Sequence, residues 1–411
     1  MAECMHSTFA NPSAVCRRPL GPALLLAVGC AALALQALAL DPGVQFHGFL
    51  SQGFSYTSDN NFFGGSTEEG SFDYTEVGIN GSVRAGNDLL MTGQLLYRRA
   101  GNADDQVALD YGLLDYRAYT TEHADLGVRL GRIKNPLGLY NDTRDVAVSR
   151  PSIILPQSIY FDRTRDLALS GDGIGLYGER RLAKGFLSAE FNVVKPRVDT
   201  DTLEPILLGA QRPGAFEDEP SALARVIFDT LEQRLRIALS VAALNLQYRP
   251  GEGDVSSAGD VLFSPRILSV QYDAENWIVT AEYARREFQF NDIAYIPFTD
   301  RTGESYYFQA QYKVGSCCWL LARRDVLYQN VDDKSGTGFE ASTGGVRPAH
   351  TQFAKDWTVG LRWSPEGRNW LVSAEHHWVH GTAWLPIEDN PDPAQTVEDW
   401  RMALLLVSVW F

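Results

Sequence analysis

Cysteine is scarce where it could staple a fold. Cys4, Cys16 and Cys30 all lie in the N-terminal segment, and beyond them only the adjacent pair Cys317-Cys318 remains. No disulfide framework can be built from that pair. A strained vicinal disulfide or a thiol pair for metal is an alternative, but two small apolar residues opening a strand is the simpler reading. Long apolar runs are missing too: after Leu40 none approaches the roughly 18 residues that a spanning helix needs. Positive charge is in deficit, with 36 Lys and Arg against 51 Asp and Glu and a formal net charge of -15. A surplus of that sign argues against nucleic acid as a partner, because phosphate binding needs a basic face. There is no G-x-S-x-G, P-loop or dinucleotide fingerprint, so no cofactor is expected. His376-His377 with His380 resembles metal-ligand spacing, yet neighbours on a strand face opposite sides and cannot easily share an ion. No metal site is expected there.

The N-terminus carries Arg17 and Arg18, an apolar stretch from Leu24 to Leu35, and then Ala37-Leu38-Ala39. Basic, apolar, A-x-A is the order of a secretory signal peptide, so residues 1–39 are read as a signal and 40–411 as the mature chain. A membrane anchor would need a longer stretch. Ala27-Val28-Gly29-Cys30 faintly resembles a lipoprotein site, but the apolar run that follows it disfavours acylation there. Loss of Glu3, Arg17 and Arg18 would take the charge from -15 to -16.

What recurs in the rest of the chain is alternation. Trp357, Val359, Leu361 and Trp363 put one face in apolar surroundings, while Thr358, Gly360 and Arg362 present small or polar groups on the other. That period of two marks a strand with one dry and one wet face. The pattern predicts sixteen strands, near 44–57, 71–86, 88–99, 107–120, 123–134, 170–182, 185–196, 220–231, 233–249, 265–274, 276–288, 303–314, 317–328, 353–363, 368–380 and 398–411. Near Asp110 to Tyr116 and near Trp319 to Arg324 it blurs, and a bulge is expected at each. Connections sort by parity, with short turns such as 85–88, 182–185 and 364–367 alternating with long loops near 58–70, 135–169, 197–219, 250–264, 289–302, 329–352 and 381–397. The fold class is therefore all-β: a transmembrane antiparallel barrel with both ends on the short-turn side, for which an even strand count and this sorting are required. Trp319, Trp357, Trp363, Trp370, Trp378, Trp384, Trp400 and Trp410, at or near strand ends, suit interfacial girdles.

Two stretches carry a family resemblance. The last strand ends in Val407-Ser408-Val409-Trp410-Phe411 and looks like the C-terminal signal that Gram-negative outer-membrane proteins present to the barrel-assembly machinery. Gly131-Arg132-Ile133-Lys134-Asn135-Pro136-Leu137-Gly138 resembles the G-R-x-K-x-P-x-G segment entering the third loop of phosphate-selective and related substrate-selective porins. Phe46 to Gly53 resembles the first strand of the same broad group. The resemblance covers a tenth or so of the chain. It implies a sixteen-stranded, usually trimeric pore in the cell outer membrane, with a third extracellular loop folded into the lumen. An arginine ladder or lysine cluster of the kind phosphate selectivity demands is lacking, so that selectivity is not carried over.

In a barrel of this size something must narrow the lumen, and the loop at 135–169 is the longest connection. Its apolar stretches Ile153-Ile154-Leu155 and Ile159-Tyr160-Phe161 would be odd in solvent. Candidate constriction residues are Arg132, Lys134, Asp142, Arg144, Asp145, Arg150, Asp162, Arg163, Arg165 and Asp166. Candidate inward wall residues are Arg84, Arg98, Arg117, Arg129, Arg236, Arg286 and Arg362 with Glu190, Glu282 and Glu375. Opposed charges across a constriction favour polar solutes, and the basic excess suggests a lean toward small anions. Pairing of these arginines with neighbouring carboxylates is the competing account. The acidic clusters Glu68-Glu69, Glu217-Asp218-Glu219, Asp332-Asp333, Glu388-Asp389 and Glu398-Asp399 read as solvated loop tips, or as bridges through divalent cations to lipopolysaccharide. The expected function is a passive porin for small hydrophilic solutes and ions, not an enzyme. An outer-membrane barrel enzyme of phospholipase or protease type and a non-conducting adhesion barrel are the alternatives.

Overall fold

The computed structural model describes residues 44–411 apart from 103, 295 and 297–299; the signal-peptide expectation for 1–39 falls outside the described residues. Strands run at β1 Val44–Thr57, β2 Ser71–Ala85, β3 Leu89–Ala100, β4 Asp105–Thr120, β5 Ala124–Lys134, β6 Ser170–Leu182 and β7 Gly185–Pro196. The eighth stave, β8, has two pieces, Ala215–Asp218 and Ser221–Thr230, both paired to the next strand. There follow β9 Leu235–Arg249, β10 Gly259–Asp273, β11 Trp277–Asn291, β12 Arg301–Val314, β13 Cys318–Tyr328, β14 Phe353–Trp363, β15 Trp370–Gly381 and β16 Asp399–Trp410. Every strand is antiparallel to the next, and β1 pairs with β16 from Phe49↔Trp410 to Thr57↔Met402, so the sheet closes. Phe411 and Gly48 exchange both backbone hydrogen bonds at the seam. The Phe411 ring lies so close over Gly48 that a Cβ there would meet it at 2.5 Å, which leaves glycine the residue that fits.

Apolar residues on one face of each strand stay exposed. Leu95, Leu130, Ile174, Phe191, Leu239, Leu268, Phe308, Val359 and Leu405, on nine different strands, are 44–56% exposed. Water tolerates no continuous belt of that kind on a monomer, and a bilayer covers it. A Lys or Arg at mid-bilayer on this face would cost roughly 2–4 kcal/mol, so outward charges keep near the loop ends of strands. Arg324 lies over the Trp357 ring at 5.0 Å and Lys355 over Tyr328 at 5.8 Å. Trp277 against Tyr312 and Trp363 against Trp370 mark the short-turn rim.

The structure departs from the sequence expectations at four places. β10 starts at Gly259, not near 265, so the loop expected at 250–264 ends sooner, and Pro265 sits inside the strand. Lacking an N–H, it leaves the ladder to β9 unpaired around Ala242-Ala243. Pro220 likewise splits β8, whose first piece lay in the loop expected at 197–219. The bulge expected near Asp110 is there, with Asp110 itself the extra residue between Leu109 and Tyr111. None occurs at Trp319–Arg324, where β13 pairs in register with both neighbours. Trp384 and Trp400 do not join a girdle. They are buried with Phe62, Ile153, Ile154, Leu404 and Leu406 in one apolar cluster, because β16 is apolar on its inner face as well as its outer one.

Candidate functional site

The inner face of each strand is the one opposite the exposed apolar belt, and it is largely polar. All ten predicted wall residues stand on it. Arg84 and Arg117 remain exposed near the short-turn side, as does Arg236, which pairs with Asp229 at 2.8 Å. Arg129 pairs with Asp115 at 3.2 Å and Glu190 at 3.7 Å. Arg98, Arg362, Glu282 and Glu375 meet the loop 135–169.

That loop touches inner-face residues of strands right around the barrel. Arg150 donates to Glu76 of β2 at 2.8 and 3.1 Å. Arg362 of β14 donates to the backbone oxygens of Arg150 (2.6 Å) and Val148. Glu375 of β15 accepts from the Ile153 N–H at 2.5 Å. Glu282 of β11 accepts from Tyr160 Oη at 2.6 Å, Tyr307 Oη at 2.8 Å, Ser269 Oγ at 2.5 Å and the Leu139 N–H at 3.1 Å, which satisfies both carboxylate oxygens. Ile153 and Ile154 add an apolar anchor against β16, and that is why those residues are apolar.

Most of the loop's charges are already spent on one another. Lys134 reaches Asp110 at 2.5 Å and also Asp145, which Arg165 contacts in turn. Arg165 leads to Asp162, Asp162 to Arg144 (2.9 Å) and Arg98 (3.5 Å), and Arg98 to Asp104 (3.0 Å) and to Glu76, where Arg150 joins. Five cations (Lys134, Arg98, Arg144, Arg150, Arg165) face five carboxylates (Asp104, Asp110, Asp145, Asp162, Glu76), so the network is neutral. Buried pairs like these resist the loss of one partner far more than they stabilise the whole. Asp142 pairs with Arg225 at 2.5 Å and Asp166 with Arg197 at 3.2 Å. Arg132 is placed elsewhere: it lies on the face of β5 that carries the exposed Leu126 and Leu130, and is bound by Asp172 at 2.7 and 2.8 Å.

Arg163 differs from its neighbours. Its Nη1 donates to the Ala383 carbonyl at 3.1 Å, and its Nε is buried without a hydrogen-bond partner among the described residues. Burial pushes the guanidinium down to about 10; Glu388 opposes that shift and Arg347 adds to it. Arg286 resembles it, donating to the Tyr328 carbonyl at 3.1 Å with its Nε also buried and unpartnered. Both line a cavity of about 570 Å³ beneath the long loops.

Two anchors of the loop carry no clear signal in the sequence. Arg225 donates to the Gly138 carbonyl at 2.9 Å and to Asp142 and Glu190, but its inner-face neighbour is the buried Leu223, so alternation does not mark it. Arg323 donates to Ser152 Oγ at 3.0 Å and the Ile154 carbonyl at 3.2 Å. It stands next to Arg324, and only the register tells which of the two points inward. Asp389, expected at a solvated tip, is buried and accepts from Gly64 N, Asn102 N and Asn102 Nδ2 at 2.9–3.0 Å, tying three loops together; burial pushes its carboxyl up despite those donors. The histidines part company: His376 packs on Trp378 at 4.4 Å, His380 bonds Asp399 at 2.8 Å, and His377 is buried. His377 Nδ1 meets Asp356 at 2.8 Å, but its Nε2 faces Glu375 at 3.4 Å instead of a nucleophile.

No protein-family model matches the chain, and no curated protein matches its sequence. Solved structures do match in shape. The anion-selective porin from Comamonas acidovorans is 12% identical over 90% of this chain and 99% of its own, with a TM-score of 0.55. The outer membrane channel DcaP of Acinetobacter baumannii is also 12% identical, over 90% and 97%, at 0.55. The outer membrane protein OmpT of Vibrio cholerae, in its trimer form, is 12% identical over 90% and 99%, at 0.53. Identity this low speaks for the fold. A closed wall of sixteen antiparallel staves, a lipid-facing apolar belt and these likenesses together make the chain a transmembrane β-barrel with the fold of the Gram-negative porins.

Proposed function

We propose that the protein is a porin: a water-filled outer-membrane channel for passive diffusion of small hydrophilic solutes and ions, constricted by loop 135–169 and leaning toward anions. The observation that carries the reading is the asymmetry of charge. The loop's network is neutral, while Arg163 and Arg286 hydrogen-bond to backbone carbonyls and, among the described residues, form a salt bridge with no carboxylate, which keeps their charge for whatever passes. Positive groups without carboxylate partners in a restricted space attract anions more strongly than the same groups in water would. Export through the 1–39 signal, assembly through the β16 terminus, contact with lipopolysaccharide at the loop rim and a homotrimeric state belong to the same reading. The trimer form in which Vibrio cholerae OmpT is recorded supports the last of these. Mass measurement in detergent tests the trimer. Reversal potentials across planar bilayers in a salt gradient test the channel and its sign: stepwise conductance with chloride preference is expected, and cation preference at neutral pH rules the anion reading out.

A further inference from the structure

The cavity beside Arg163 and Arg286 is not lined by polar groups alone. Apolar side chains make much of its wall: Leu203 and Ile206 from the short helix α1 at Thr200–Leu207, Phe263 of β10, Phe288 of β11, and Leu385 and Ile387 of the last long loop. The Phe263 and Phe288 rings stack at 4.4 Å with 20° between their planes. Against this surface, beside Arg144 of the neutral network, stand four further arginines, Arg163, Arg286, Arg301 and Arg347, drawn from a loop, two strands and a second loop. All four line the one cavity. A guanidinium group in a confined space attracts an anion more strongly than it would in water. The Arg301 guanidinium lies 5.3 Å from the centre of the Phe288 ring, which joins the charged end of the cavity to the aromatic one. Gly303 keeps room for Arg286, since a Cβ there would meet its Nη2 at 2.9 Å. Among the described residues, Glu388 acts on Arg163, Asp325 on Arg286, and Asp392 lines the cavity.

We propose that this cavity binds an amphipathic organic carboxylate, its head group held by the arginine cluster and its aromatic or short aliphatic body laid on the Phe263–Phe288 side. A cavity of about 570 Å³ lies within the roughly 300–1,000 Å³ that enclose small ligands. A guanidinium pairs with a carboxylate in two parallel hydrogen bonds, which fixes the head, while an apolar body gains by leaving water. Neither half of the site suffices alone, so acetate and a neutral aromatic alcohol should both bind poorly. The proposal deepens the anion-leaning reading and depends on it for a route, but binding can be measured without conductance.

The test is calorimetric titration of the full mature chain in detergent with 2-naphthoate, and with acetate and 2-naphthylmethanol as half-ligands. Empty micelles supply the partition blank. Saturable binding of 2-naphthoate is expected, with each half-ligand weaker by about tenfold or more. R286Q and R347Q should each weaken naphthoate binding by about tenfold, the loss of one charge-assisted contact. Arg347 lies in a loop, so its variant keeps the test valid if R286Q does not assemble. Binding of naphthoate no tighter than the neutral alcohol, or unchanged in R347Q, overturns the proposal even if the protein conducts. Saturable, arginine-dependent binding in a protein that does not conduct upholds the site and removes the channel.

Discussion

Two clusters of arginine sit under the long loops and meet opposite fates. Around Glu76 and Asp162, the guanidinium groups of Arg98, Arg144, Arg150 and Arg165 are matched charge for charge by carboxylates and hold loop 135–169 in place. Around the apolar cavity, Arg163 and Arg286 bond to backbone carbonyls and share their surroundings with Arg301 and Arg347. Asp162 and Arg163 are consecutive in the chain, yet the first belongs to the lock and the second to the cavity. Residue type and sequence neighbourhood do not separate a structural arginine from a ligand-facing one. For Arg163 and Arg286, the lack of a carboxylate at salt-bridge distance among the described residues does.

Breaking the lock should have the largest effect. E76A leaves Arg150 and Arg98 buried without their shared partner, which costs about 3–5 kcal/mol; a lowered midpoint of thermal unfolding in detergent, together with larger and noisier conductance steps, is expected. An unchanged midpoint would make the network decorative. Next comes the apolar anchor: I153S with I154S removes two buried side chains from the cluster with Leu404 and Leu406, each worth roughly 1.5–3 kcal/mol of burial. Protease sensitivity of the loop at 135–169 should then rise while the sixteen staves stay resistant. R163Q with R286Q should leave stability nearly as it was and lower chloride over potassium permeability severalfold, read from reversal potentials. That split is the sharpest contrast between the two clusters, since E76A should move stability first and selectivity second. R132A should do least, because its partner Asp172 sits at the exposed outer rim and such pairs contribute about 0–1 kcal/mol. A change of ion selectivity in R132A would show that the residue belongs to the pore after all.

The barrel was legible because alternation is set by the bilayer itself, which keeps charge off the outer face of every strand at mid-bilayer depth. Bounds came out within a few residues wherever the pattern was clean. They slipped at Pro220 and Pro265, where a missing N–H interrupts a ladder without ending the stave. Inner-face positions such as Glu282, Arg362 and Glu375 follow from the same alternation. What each of them binds does not, since that depends on the path of loop 135–169 through three dimensions. Arg301 and Arg347 fell in stretches expected to be outer loops, where no periodicity marks direction, so their convergence on the cavity was invisible in sequence. Trp384 and Trp400 were misplaced for a related reason: strand ends collect tryptophan both for membrane interfaces and for packing under loops.

The central claim is a channel whose selectivity comes from arginines left outside the neutral lock. It is tested most directly by the reversal potential of the purified protein in a planar bilayer under a tenfold potassium chloride gradient at neutral pH. Conductance with a potential displaced toward the chloride equilibrium value, moving back toward zero in R163Q with R286Q, is the expected result. A silent membrane, or a potential displaced toward the potassium value, would contradict it.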